Sequence, residues 1–477
     1  MFLNIFCYYL DASPRFWPRL THICRKWRQI IFASQQTLRL RLLFTHGTPV
    51  LKTLDCWPTL PIIVQYGAPP VPGVPATEDE DNIMAALKQS GRVGSISLIV
   101  TNSLLEKLSA IERPFSELED LALLCGDDVP LRLNLSNAFR WGSLLHTLHL
   151  TRATILVLPQ LFLLSTSLLD LQLHEISDVG YITPEAFANA LSGMCHLQTL
   201  SLHFLSSAPY PHCVGVLPQP SERIALLALR RLKYRGTSKY LDSLAARIDA
   251  SRLGNIDITF FSQPPPMEPW QLGQFINRIA IHKSHCRADI LFSENAISIS
   301  FTQPESPTCL ELQVSCKSFS RQLSYIARIC EGLYPFDFSG IEHLRVCETR
   351  PNSGHDYNQL GDWQNLLSHF IGTKWVYVAR GLSEFTLIVL TPQRQRLLPA
   401  LHKLCIHEPD SLLNWQKTVE SFVHSRLLSG HIIAVEYERL RTNELHGTGT
   451  GFLLQRIFMT HSCTSSRALW SRSAGHN

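Results

Sequence analysis

The sequence predicts an α/β fold: a curved, mostly parallel sheet whose strands alternate with helical or irregular returns, preceded by a small helical segment. Three observations carry this. First, Leu-x-x-Leu-x-Leu recurs as Leu118/Leu121/Leu123, Leu145/Leu148/Leu150, Leu168/Leu171/Leu173 and Leu197/Leu200/Leu202, with first leucines 27, 23 and 29 residues apart. Second, looser copies extend the series: Val93/Ile96/Leu98 upstream, then Leu229/Leu232/Tyr234, Leu253/Ile256/Ile258, Ile341/Leu344/Val346, Leu382/Phe385/Leu387 and Leu401/Leu404/Ile406. Third, 477 residues with 45% apolar and 17% charged side chains are enough to bury a long, charge-poor core.

A spacing of this size is the leucine-rich-repeat period, in which one short strand and its return make a unit that buries its apolar face only against its neighbours. The expected fold is therefore an irregular leucine-rich-repeat solenoid. Taken in order, residues 2–10 are apolar on nearly every face of a short helix. From Arg19 to Phe32, the residues Leu20, Ile23, Cys24, Trp27, Ile30 and Ile31 follow helical 3-4 spacing, with Arg25, Lys26 and Arg28 opposite. Residues 1–45 thus form a helical segment and 46–77 a connection. That connection ends in the linker Gly67–Thr77, where four prolines in eleven residues exclude a regular element. Repeats occupy 78–446. Glu78–Asp81 opens a helix at the end where acids suit its dipole, and further returns are expected at Leu104–Ile111, Ile155–Leu164, Pro184–Leu191 and Lys239–Ile248. Thr183 followed by Pro184 is a helix-start pair.

Near 260–335 the period breaks. Trp270 to Ile281 reads as a helix. Asp289–Phe292, Ala296–Phe301 and Cys309–Cys316 alternate like strands, either as a hairpin inserted into the sheet or as two degenerate repeats. From Gly447 to the last residue the chain is rich in Ser, Thr, Arg and Gly, and a disordered tail is expected.

The N-terminal residues also carry a resemblance. Phe2-Leu-Asn-Ile-Phe6, Trp17-Pro-Arg-Leu20 and Ile23-Cys-Arg-Lys-Trp-Arg-Gln-Ile30, followed by the companion segment Leu43–Pro58, resemble the F-box of fungal (basidiomycete) F-box proteins. The likeness is dense over the first 66 residues and looser to about residue 446. Because the family opens with a Leu-Pro-x-Glu turn and this sequence starts inside the first helix, an N-terminally truncated F-box is expected. The resemblance implies docking onto a Skp-family adaptor of a cullin-RING ubiquitin ligase, with the repeats presenting a protein substrate. Leu3, Phe6, Leu10, Leu20, Ile23, Cys24, Trp27 and Ile30 would then be divided between the segment's own core and the adaptor interface. A helical cap over the first repeat is the other reading of the same residues.

In each repeat the leucines point to the core and the residues between them to the concave face of the sheet, the candidate binding face. That alternation exposes His149, His174, His203, Arg231, Lys233 and Arg235, a cationic or protonatable set suited to an acidic or phosphorylated substrate segment. The alternative is a solvated polar face without a ligand.

The net charge of +4 is small for this length and argues against a nucleic-acid partner. No apolar stretch is long enough to span a bilayer, and no Lys or Arg precedes Phe2–Leu10 as a secretory signal would require. Thirteen cysteines without a paired spacing read as reduced thiols, which places the chain in cytoplasm or nucleus.

Catalytic motifs are missing. His282, His285 and Cys286 are metal-capable, but no second cluster completes a tetrahedral set, and Gly447–Gly451 precedes no nucleotide-binding unit. No metal, cofactor or catalytic residue is expected. The rival readings are a leucine-rich-repeat scaffold that has lost its adaptor and a hydrolase or metal enzyme with a site assembled across loops.

Overall fold

The structure, a computed structural model, describes residues 2–12, 17–34, 37–38, 40–57, 59–66, 76–111, 113–125, 131–132, 144–154, 166–206, 223–261, 270–279, 285–303, 309–334, 336–349, 360–379, 382–390, 397–407, 412–428, 430–441 and 453–459. It is a mixed α/β chain that divides into two compact units, Met1–Leu205 and Ser206–Asn477.

The first unit opens with helices α1 (Phe2–Ala12), α2 (Trp17–Leu20) and α3 (Arg25–Ala33). The single helical stripe expected from Arg19 to Phe32 is broken at Thr21–Cys24. Thr21 Oγ1 donates back to the Pro18 carbonyl, and Cys24 takes an extended conformation in which its Sγ accepts the Trp27 N–H and starts a new helix. Strands β1 (Leu42–Phe44), β2 (Ile62–Tyr66), β3 (Val93–Val100), β4 (Asp120–Cys125), β5 (Thr147–Thr151), β6 (Asp170–Ile176) and β7 (Thr199–Phe204) then lie side by side, each parallel to the next. The sheet therefore starts at Leu42, well before the repeat start expected at residue 78, and the stretch expected as a connection contributes β2 and helix α4 (Val50–Cys56).

Helix α5 (Ala76–Leu87) contains Glu78–Asp81 in its opening turns. Next come α6 (Asn102–Ser109), capped by Thr101 Oγ1 accepting the Leu104 N–H, and α7 (Pro184–Leu191), capped by Thr183 Oγ1 accepting the Ala186 N–H. Most of the Gly67–Thr77 linker and the return expected at Ile155–Leu164 lie outside the described residues. Registers run leucine against leucine, Leu121 beside Leu148, then Leu171, then Leu200, so each core position is packed by its equivalents on both sides. All twelve leucines of the clean copies are buried. Each contributes about 1.5–3 kcal/mol by leaving water, and continuity of this ladder is what holds units too small to stand alone.

In the second unit the strands are β8 (Arg231–Gly236), β9 (Asn255–Phe260), β10 (Arg287–Phe292), β11 (Ala296–Thr302), β12 (Cys309–Ser315), β13 (His343–Glu348), β14 (Trp375–Ala379), β15 (Lys403–His407), β16 (Ala434–Arg441) and β17 (Leu453–Met459). Their spatial order is β8-β9-β12-β11-β10-β13-β14-β15-β16-β17. Between 260 and 335 the chain neither adds a simple hairpin nor repeats the period. β10, β11 and β12 form an antiparallel meander whose outer strands pair in parallel with β13 and β9. The β10–β11 turn is closed by Ser293, which bonds Ala296 through both backbone and hydroxyl. The buried Gln322 amide donates to the carbonyls of Ser293 and Cys316, fixing that turn from the helix behind it.

Returns on the other face are α8 (Ser238–Arg247), α9 (Trp270–Arg278), α10 (Phe319–Gly332), α11 (Leu360–Ser368), α12 (Leu382–Leu390) and α13 (Leu412–Leu428). Asp242 of α8 accepts the N–H groups of Gln271 and Leu272 and so caps α9.

Two expectations are corrected here. Leu382/Phe385/Leu387 is not a strand copy: the strand of that repeat is β14, and Leu382 opens a return helix whose Leu382, Thr386, Val389 and Leu390 are buried at helical spacing. The tail expected as disordered from Gly447 contains β17, antiparallel to β16; residues 442–452 and 460–477 lie outside the described residues.

Candidate functional site

The N-terminal helices sort the residues singled out for an adaptor. Phe6 and Leu20 are buried, Phe6 edge-on to Trp27 at 4.9 Å. Ile23 is 58% exposed, Cys24 is exposed, and Trp27 and Ile30 are half-buried. The side chains of Leu3 and Leu10 lie outside the described residues. Two more apolar groups of these helices, not singled out from sequence, are exposed, Ile5 at 48% and Tyr8 at 80%. Helical spacing alone could not find them, because α1 is apolar on every side. The inner side of the segment is fixed to the start of the sheet: Trp17 Nε1 donates to the Arg41 carbonyl at 2.9 Å, and Trp17 and Phe32 both pack on Trp57.

On the outer face of the first sheet the expected histidines meet. His149 Nε2 is 3.2 Å from His174 Nδ1 and 3.2 Å from Thr151 Oγ1; His174 Nε2 is 2.9 Å from Ser201 Oγ, which is 3.3 Å from His203 Nε2. The His174 and His203 rings stack 4.2 Å apart. β6 carries a register shift between Leu173 and Ile176, with Glu175 at φ +53°, and Arg152 at φ +59° ion-pairs with it. Left-handed backbone at two non-glycine residues costs roughly 1 kcal/mol or more apiece and re-aims the strand beside the rings. Both ring nitrogens of His174 and the Nε2 atoms of His149 and His203 are engaged within the cluster. Burial lowers the pKa of His149, opposed by Asp170, so this ring favours its neutral form. The three expected histidines thus form one hydrogen-bonded polar cluster on this face.

The expected cations Arg231, Lys233 and Arg235 belong to the second unit, where they alternate along β8 with buried Leu232 and Tyr234 and are all exposed. Arg235 lies over the Phe261 ring, and Lys233 is in register with Asp257 of β9. Asp257 is in turn in register with Glu311 of β12, whose pKa is raised by burial and by Asp257. The outer face on the β9 side of β8 is thus acidic, and it borders the expected cations there.

Further along the same face, a groove of about 510 Å³ is lined by Arg287, His343, Arg345, Trp375, Tyr377 and Lys403, among others. Arg345 lies 5.1 Å over Tyr377 and Lys403 4.8 Å over Trp375, while the His343 ring packs at 5.1 Å from Trp375. Arg287 pairs with Asp289 at 3.0 Å and Lys403 with Glu436 at 2.7 Å. Sequence reasoning missed this groove because Thr373 occupies the first leucine position of its repeat. Thr373 is fully buried there, its hydroxyl donating to the Ile341 carbonyl at 3.1 Å, so the slot is filled without an aliphatic side chain. The alternation Trp375-Val376-Tyr377-Val378 was the available signal.

Of the weighed metal set, His282 lies outside the described residues, while His285 is buried in the core and Cys286 is half-buried. Among the described residues no group of three His, Cys, Asp or Glu side chains is arranged to hold a metal ion, and no helix is long and apolar enough to cross a membrane. The described cysteines are free thiols.

Compared with known protein families, the chain matches none, and no curated protein matches it.

Proposed function

We propose that the chain is a non-catalytic substrate-recognition subunit of an SCF-type cullin-RING ubiquitin ligase. In this reading the three N-terminal helices dock a Skp-family adaptor, and a leucine-rich-repeat sheet offers its outer face to a protein substrate. The observation that carries it is the set of apolar side chains left open on those helices, with Ile5, Tyr8 and Ile23 exposed and Trp27 and Ile30 half-buried. Large aliphatic and aromatic groups in contact with water on short helices are what a partner's apolar groove would cover. The chain carries no chemistry itself. It works in the cytoplasm or nucleus by raising the effective concentration of substrate near a ubiquitin-loaded enzyme supplied by other subunits.

The contacts of Trp17 and Phe32 with Trp57 favour a second reading, in which the helices serve as a cap on the first strand of a scaffold that binds no adaptor. Co-expression with a Skp-family adaptor separates the two. The ligase reading expects stoichiometric co-purification that is lost in Ile23→Asp and Tyr8→Ser variants, both at exposed positions that leave the fold intact. An adaptor retained by neither the native chain nor the variants overturns it in favour of the cap.

A further inference from the structure

On the outer face of the second unit, large aromatic groups and cations stand together around β14. On β14 the alternation buries Val376 and Val378 but leaves Trp375 49% exposed. The neighbouring strands supply basic groups: in register with Trp375 stand His343 of β13, Lys403 of β15 and, one strand further, Arg287 of β10, while Arg345 of β13 is in register with Tyr377. Arg287 and Lys403 are neutralised locally by Asp289 and Glu436. Arg345 is different. Its guanidinium rests on the Tyr377 ring and hydrogen-bonds Cys347, and the carboxylate across from it in register, Asp289 of β10, forms its ion pair with Arg287. Arg287, Arg345 and Lys403 against the carboxylates of Asp289 and Glu436 leave the groove and its edges with a net charge of +1.

We infer that this groove is the docking site for an acidic protein segment, which lays an apolar or aromatic side chain on Trp375 and brings a carboxylate to Arg345. The inference rests on reading the outer sheet face as a protein-binding surface and names the element it recognises. Four neighbouring strands at about 4.8 Å spacing span roughly 14 Å, the length of about four extended residues. Trp, Tyr and Arg are the side chains that concentrate binding energy at protein interfaces, and here they share one wall. A guanidinium already stacked and held flat pairs with a carboxylate at little ordering cost. The carboxylates of Asp289 and Glu436 at the groove's edges disfavour a continuous phosphate chain, while a peptide can place its acids between them.

The test is selection of random displayed peptides of about twelve residues on the full-length chain. It is followed by affinity measurement on full-length Arg345→Glu, Trp375→Ala and, as a variant of the other unit, His174→Ala. The expected result is enrichment of peptides with Asp or Glu beside Phe, Trp or Leu. Their affinity falls at least about tenfold in each groove variant, is unchanged in His174→Ala, and weakens as salt rises. Enriched peptides without acids, or binding untouched by both groove substitutions, overturns the groove. If that binding is lost in His174→Ala instead, the protein-recognition reading survives and this assignment does not. If no peptide is enriched, the groove falls while adaptor co-purification still reports separately on the helices.

Discussion

His285→Leu is expected to make the protein more resistant to acid. His285 stands where its repeat would carry the first leucine: Ala288 and Ile290 follow at +3 and +5, both buried, and His285 itself is 3% exposed, its ring 6.5 Å from Phe301. Burial pushes its pKa from 6.5 down to about 4. The sign follows from proton uptake. Between pH 6.5 and 4 the unfolded chain holds a proton on this ring that the folded chain does not, so stability falls as pH falls through that window and levels off below it. At pH 4.5 the loss is about 2.5 kcal/mol relative to pH 7.5, because each pH step inside that window costs about 1.36 kcal/mol. Leucine has no proton to take up and suits the slot. Urea unfolding at pH 7.5 and 4.5, with native and variant chains side by side, isolates this ring because all other titrating groups are common to both. An equal loss of stability in the two chains between these pH values would refute the argument that His285 is buried as a neutral ring.

Two further substitutions probe the architecture. Gly372→Ala would set a methyl group 1.7 Å from the Ser339 carbonyl oxygen, a backbone atom that cannot swing aside; a loss of about 3 kcal/mol or more is expected in denaturant unfolding, and a neutral result would mean that this approach is not as close as described. Leu171→Ala opens the leucine ladder between Leu148 and Leu200 and is expected to cost about 2–5 kcal/mol, checked by the same measurement, with the outward neighbour Gln172→Ala shifting stability by under about 0.5 kcal/mol.

Strands β4 to β7 of the first unit were legible because a clean Leu-x-x-Leu-x-Leu copy states both the strand and its inner face, whereas β1 and β2 carry no such copy. Legibility failed where a polar residue occupied an aliphatic slot. Thr373 hides β14 by bonding to Ile341, and His285 obscures the start of β10 by remaining neutral. Leu382 failed in the opposite sense, since three apolar positions within six residues fit a strand copy and a helix face equally well until β14 is seen to fill the strand's place. The break at Thr21–Cys24 turned on one sulfur accepting one amide proton, a competition that spacing does not register. Among candidate site residues, the histidines were found because they follow the leucines directly, whereas the groove of Arg345, Trp375, Tyr377 and Lys403 lay in the repeats whose pattern was already blurred.

What the sequence determined by itself is the α/β class, the mostly parallel pairing of the repeats, the inward leucines, and the presence of helices before the sheet. Those follow from local periodicity, where each residue's face is set by its neighbours along the chain. Only the tertiary structure decided that β10, β11 and β12 fold back as a meander, that three histidines meet in one hydrogen-bonded cluster, and that two aromatic rings and four basic side chains meet on adjacent strands. Such arrangements depend on which distant segments become neighbours, and one position's inward or outward sense carries no record of what stands beside it across the sheet.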